Sequence, residues 1–349
     1  MTAKTRYFVI SSALVTFVGV GSGLVAYYAG FPARAYSSRG GPEELQYIPY
    51  DATLVAYADV RHVMASQLRQ RIRQAMPGQD AGRDNAQREF EKQTGINIES
   101  DIDHVVACLQ ADSAGGRGPG AGLVIARGTF NEVQIESLMR EHGAQVEQYK
   151  DKRLLVGTAH AAQAGSQNPP PESPAKPQEF ALSFLKPGLV AIGSPALIRR
   201  AIDLENGGDN VTANEEVLNL VRSVDTGTVW AVGRFDTLRA TANFPRGIGQ
   251  LPPITLFSAS GTIDDGISGS VRAETDDDQA AKNLRDVVQG FVALASLQVG
   301  SKPELKAFVQ SLQISGTGKT VALSFSVPGA VLDLMPSPGA RTPGTSRAH

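Results

Sequence analysis

Thr53-Leu-Val-Ala-Tyr-Ala-Asp-Val60 and Thr228-Val-Trp-Ala-Val-Gly-Arg-Phe235 align without a gap at a separation of 175 residues. Each is a short apolar run rich in β-branched and aromatic side chains, bounded by polar positions, which is how a strand reads. Around both, the order strand, helix, paired strands, helix, strand recurs. The expected fold is therefore α+β, with two related units, each an antiparallel sheet with helices packed on one face.

Further units extend this pattern. A helix is expected after Leu54–Ala58, with Val60, Val63, Met64, Leu68, Ile72 and Met76 on one face and Pro77-Gly78 as its stop. Leu123-Val-Ile-Ala126 precedes a helix capped by Asn131, and Leu189-Val-Ala-Ile192 precedes Ser194-Pro195, a cap followed by proline at the first helical position. Strands near 254–263 and 267–273 are joined by Asp264-Asp-Gly266, which is hairpin chemistry. Thr275-Asp-Asp-Asp278 then caps a long helix whose apolar positions are Leu284, Val287, Val288, Phe291, Leu294 and Ala295. Val321, Leu323, Phe325 and Val327 alternate as a half-buried strand does.

Before the first unit, Lys4 and Arg6 precede an uncharged run from Phe8 to Gly30, and no acid occurs before Glu43. A bilayer core takes ~20 apolar residues of helix, and cations on one flank leave that flank in the cytoplasm. Residues 8–30 are expected to be a transmembrane helix with the bulk of the chain outside. Gly19 and Gly23 form a G-x-x-x-G pair suited to close packing on a second membrane helix. The alternative is a signal peptide cut after Ala33-Arg34-Ala35, which would release a secreted periplasmic protein.

The expected boundaries are residues 1–7 cytoplasmic, 8–30 in the membrane, 31–46 a stalk, 47–208 the first unit, 209–335 the second, and 336–349 a disordered tail. Ala159–Gln178, with Pro169-Pro-Pro171, Pro174 and Pro177, reads as a long surface loop.

Composition narrows function more than it identifies one. Hydrophobic residues make up 42% and charged residues 19%, a globular balance. Losing residues 1–35 removes three cations and no acid, so the remainder carries 30 positive against 35 negative charges and lacks a nucleic-acid footprint. The single cysteine, Cys108, permits no internal disulfide and lies in an apolar run.

The segments Ile48-Pro49-Tyr50-Asp51-Ala52, Leu54–Asp59, Phe90-Glu-Lys-Gln-Thr-Gly95 and Asp101-Ile-Asp103 resemble a group of uncharacterised bacterial envelope proteins. Those open with a signal or anchor, then "IP-x-DA", an apolar strand and "F-E-x-x-T-G". The resemblance covers residues 47–110 and implies an exported α+β protein. It brings no catalytic residues.

The remaining motifs fail on their own chemistry. Ser315-Gly-Thr-Gly-Lys-Thr320 ends like a phosphate-binding loop, but the leading glycine is replaced by Gln313 and an alternating strand follows where a helix is required. It reads as a hairpin turn with no nucleotide. Neither Asp101/Asp103 nor Asp276–Asp278 has the spaced oxygens of a calcium loop. His62, His104, His142, His160 and His349 lie in no metal-ligand spacing, and Glu132, Glu136, Glu141 and Glu147 belong to a helix exterior and its exit. No catalytic, cofactor or metal residues are assigned.

The sequence is thus read as a bacterial inner-membrane protein, its bulk extracytoplasmic, that binds or scaffolds as an accessory subunit of a larger membrane complex. The rival is an envelope hydrolase with a site assembled from dispersed residues.

Overall fold

The computed structural model describes residues 41–75, 88, 91–92, 94–111, 121–159, 178–224, 227–241, 252–298 and 303–329. The strands among them are β1 (Leu54–Ala58), β2 (Ile102–Gln110), β3 (Ala121–Gly128), β4 (Gln145–Tyr149), β5 (Lys152–Ala159), β6 (Gln178–Lys186) and β7 (Leu189–Gly193), then β8 (Val229–Arg234), β9 (Ile254–Ile263), β10 (Ile267–Thr275), β11 (Gln313–Ser315) and β12 (Thr320–Val327). All join one antiparallel sheet of 12 strands, in the order β11-β12-β10-β9-β8-β1-β2-β3-β7-β6-β5-β4.

This corrects the expectation of two separate sheets. β1 and β8 pair directly, Leu54 opposite Gly233, Ala56 opposite Ala231 and Ala58 opposite Val229. Left apart, both would be apolar edge strands open to pairing with other chains; joined, neither is an edge. The pairing is symmetric about Ala56 and Ala231, so the 175-residue alignment becomes a local twofold at the middle of the sheet.

Helices on one face is the second correction. Among the described residues the helices with defined bounds are α1 (Val60–Ala65), α2 (Gln67–Ala75), α3 (Ile98–Asp101), α4 (Glu132–Glu141), α5 (Pro195–Glu205), α6 (Glu215–Val224), α7 (Phe235–Thr241), α8 (Asp278–Gln298) and α9 (Pro303–Ser311). Every residue from Leu123 to Ala126 and from Leu189 to Ile192 is buried, so these strands are covered on both sides. On the front face, α5, α6 and two 3₁₀ turns (Glu43–Tyr47 and Val211–Ala213) enclose Val55, Val106, Leu123, Ile125 and Ala191. On the back, Val60 of α1 and Ile135 and Met139 of α4 pack on Leu155, Leu182, Val190 and Ile192. The second half is covered on the back by α8, whose Ala281 and Leu284 meet Val321.

Third, the expected transmembrane helix at residues 8–30, with Gly19 and Gly23, lies outside the described residues. Among the described residues no helix is long and apolar enough to cross a membrane.

Two local differences have simple causes. The helix expected from Val60 onward is broken at Ser66, where the backbone is extended. The Ser66 hydroxyl donates to the Val63 carbonyl and accepts from the Arg69 N–H, ending one helix and starting the next. Residues 43–47, expected at the stalk boundary, form a 3₁₀ turn in which Leu45 and Tyr47 are core residues.

Candidate functional site

The sheet register shows what distinguishes its halves. Walking outward from the central pair, Ala56, Ala107, Val124, Ile192 and Leu182 form a back-face row in the first half. Its counterpart in the second half is Ala231, Ala259, Val271, Leu323 and Ile314. Both rows are apolar, and helices pack on the back of both halves, although Val271 itself is 40% exposed.

The front face behaves differently. The first-half row Val55, Cys108, Leu123, Gly193 and Ala181 corresponds to Trp230, Ser260, Ser270, Ser324 and Gln313. The next row, Tyr57, Val106, Ile125, Ala191 and Ser183, corresponds to Val232, Ser258, Arg272, Ala322 and Ser315. Apolar positions have become hydroxyls, an amide and a guanidinium. Thr262, Ser268 and Ser326 add a third polar row. α6 covers the β8 side, leaving Ser258 buried; Ser260, Ser270 and Ser324 are half-buried, and Arg272, Gln313 and Ser326 are exposed. The Ser260 and Ser270 hydroxyls lie 3.4 Å apart across the strands. Arg272 has no ion-pair partner among the described residues. The result is a hydroxyl-rich terrace about 5 Å from strand to strand, open to solvent and bordered by Trp230.

On the same face of the first half, one buried ionic cluster forms. Glu44, at 1% exposure, pairs with Arg127 Nε from β3 and lies 3.1 Å from His104 Nε2 on β2. The histidine contact is at ion-pair distance but off the line of a hydrogen bond, leaving Nε2 without one. Burial raises the Glu44 carboxyl; His104, Arg127 and the turn's own backbone more than reverse this and hold it at about 2. Tyr57 sits 5.5 Å from the His104 ring and stacks on Trp230 at 5.7 Å. The cluster fastens the first 3₁₀ turn to the sheet. Sequence reading missed it because its members are 60 and 83 residues apart; the only local signal was Leu45 within an otherwise polar stretch.

Other residues singled out in the sequence have structural partners. Asp103 pairs with Arg61, His62 Nε2 is 3.2 Å from Asp264, and His142 Nδ1 is 2.7 Å from the Leu138 carbonyl. Glu136 meets Arg140 and Arg153, and Glu147 meets Arg199. Asp277 accepts from the Ala280 N–H at the start of α8, and Lys319 Nζ donates to the Asp276 carbonyl. Residues 316–319 form the turn between β11 and β12, with Gly316 in the left-handed region beside the Thr320 carbonyl. Cys108 is buried, and burial pushes its thiol up to about 12, so it is no nucleophile in the folded chain. His160 and His349 lie outside the described residues. Among the described residues, no three of His, Cys, Asp and Glu gather as a metal site would require.

No family model and no curated protein matches this chain. A solved structure titled "Structure of crystal form I of TP0453" is similar over 85% of this chain and 97% of that one, with 10% identity and a TM-score of 0.41. At that level the likeness assigns neither family nor function.

Proposed function

We propose that this chain is a non-catalytic binding or scaffold protein of the bacterial envelope, which takes its partner on the polar front terrace of the second half. One observation carries the reading. Along one register row, Cys108, Leu123, Gly193 and Ala181 of the first half are buried and without charge or amide, whereas their counterparts Ser260, Ser270, Ser324 and Gln313 are polar and half-buried or exposed. A sheet face that merely awaited another helix of the fold would have kept the apolar pattern seen behind it.

Serine and threonine hydroxyls both donate and accept, and the exposed Arg272 guanidinium offers a planar donor fork. Such a terrace suits an extended polar partner carrying carboxylates, held by many modest contacts. Placement in the envelope is supported by the uncharged run at residues 8–30 behind Lys4 and Arg6, and by the resemblance over residues 47–110. The rival hydrolase would need an acid, base or nucleophile turned toward a substrate. Among the described residues, the histidine–carboxylate meeting on this face, His104 with Glu44, is spent on fastening a buried turn.

A photo-reactive side chain placed at Ser270 or Ser324 in the full-length chain tests the proposal in cells. Capture of a partner at these positions, lost on Arg272→Glu, is expected. Labelling no different from that at Glu132, on an exposed helix, would remove the terrace as the binding face.

A further inference from the structure

α8 carries two apolar stripes, and among the described residues only one packs on the sheet. Ala281, Leu284 and Val288 face the back of the sheet. A second stripe follows the spacing Val287, Gly290, Leu294, Leu297, in steps of three and four as the seam of paired helices does. Its side chains are exposed: Val287 by 36%, Leu294 by 55% and Leu297 by 81%, with Phe291 beside them at 65%. A side chain built at Gly290 would meet nothing within 4 Å.

We propose that α8 pairs antiparallel with α8 of a second copy of this chain through that seam. Three features of the stripe select this occupant. It is self-complementary: antiparallel alignment sets Val287 opposite Leu297 of the second copy, and places the recess at Gly290 opposite Leu294 of the second copy. It is free of charge, since residues 287–298 carry none, and Lys282, Arg285 and Asp286 fall beyond the paired span in this register. It is also large enough. Two such faces bury on the order of 1,000 Å², the lower bound for a specific interface. The pairing is isologous and closes as a dimer.

Strand addition at the neighbouring sheet edge does not compete. β11 is only three residues long, and beyond it the Ser311 hydroxyl accepts from the Ser326 N–H and contacts the Ser326 carbonyl, both at 2.8 Å. The seam lies on the back of the molecule, so this inference stands or falls independently of the front terrace.

Two differently tagged full-length chains, each with Cys108→Ser, are co-expressed, one with Gly290→Cys and the other with Leu294→Cys. Mild oxidation is expected to yield a mixed-tag disulfide dimer. The pairing of Gly290→Cys with Gln289→Cys, an exposed position on the other side of α8, yields none. In mild detergent, with bound detergent subtracted, the wild-type chain sediments as a dimer, and Leu294→Asp with Leu297→Asp halves the mass while circular dichroism is unchanged. A monomeric wild-type chain, or a mixed dimer no more abundant than the control, overturns the pairing. So does a monomer in which Leu294→Cys, with Cys108→Ser, is shielded from a water-soluble maleimide once the full-length chain is reconstituted into phosphatidylglycerol vesicles, since the face would then belong to lipid.

Discussion

Glu44 shows how a single side chain fastens a segment that composition alone places in a flexible stalk. Its carboxylate is buried, and its ionised form persists because Arg127 and His104 stand against it. Removing one partner of a buried ionic group costs about 3–5 kcal/mol, because the remaining charges lose their counterpart. Part of Arg127 still reaches water, so Glu44→Gln is expected to cost about 3 kcal/mol at pH 7 in chemical denaturation. The sign of the pH dependence follows from the lowered pKa. Stability from ionised Glu44 is fully present above its ordinary value of 4.5 and is lost as pH falls toward about 2. The difference between wild type and Glu44→Gln should therefore shrink across that window. A difference that stayed constant from pH 7 to pH 2.5 would mean the cluster is not the source.

At the scale of elements, the strands were legible and their surroundings were not. Ile254–Ile263 and Ile267–Thr275 form the hairpin that Asp264-Asp-Gly266 announces, and Asn131 and Ser194 cap the helices they were expected to cap. Alternation and cap chemistry are local, so they survive in the sequence. Which face of a strand is covered depends on elements distant in the chain, and the runs at Leu123 and Leu189 say only that something covers both sides. α8 posed the opposite problem: its apolar residues read as one core-facing stripe, whereas the structure divides them between the sheet and solvent. The two halves supply an internal control. Leu123 and Ser270 occupy the same register position. Leu123→Ser should cost about 3 kcal/mol or more, since it removes buried methyl groups and buries a hydroxyl. Ser270→Val should lie within about 0.5 kcal/mol of wild type, as a half-exposed change on a sheet surface. Thermal unfolding of the two variants checks the contrast; equal losses would mean that the second front face is covered after all.

At the scale of the whole molecule, the question is whether two halves joined by one strand pair behave as one body. Two separate units were expected because β1 and β8 read the same whether each ends its own sheet or pairs with the other. The pairing buries Val55, Ala56, Trp230 and Val232, which separation would return to water. The covering layer also straddles the junction: α5 packs on the first half, while α6, which follows it in the chain, lies over β8 and β9. Neither half can leave without stripping apolar surface from the other, so the halves should unfold together. Trp230, the only tryptophan, sits at the junction and reports on it directly. Its fluorescence and the far-ultraviolet circular dichroism should trace one coincident urea transition. Proline at the symmetric centre, Ala56→Pro, deletes a ladder donor in an interior strand and should lower that single transition by about 3 kcal/mol or more rather than split it. Two resolved steps, with tryptophan emission changing in the first while most of the dichroism remained, would show the junction yielding before the halves. The sheet would then be two domains in contact rather than one structure.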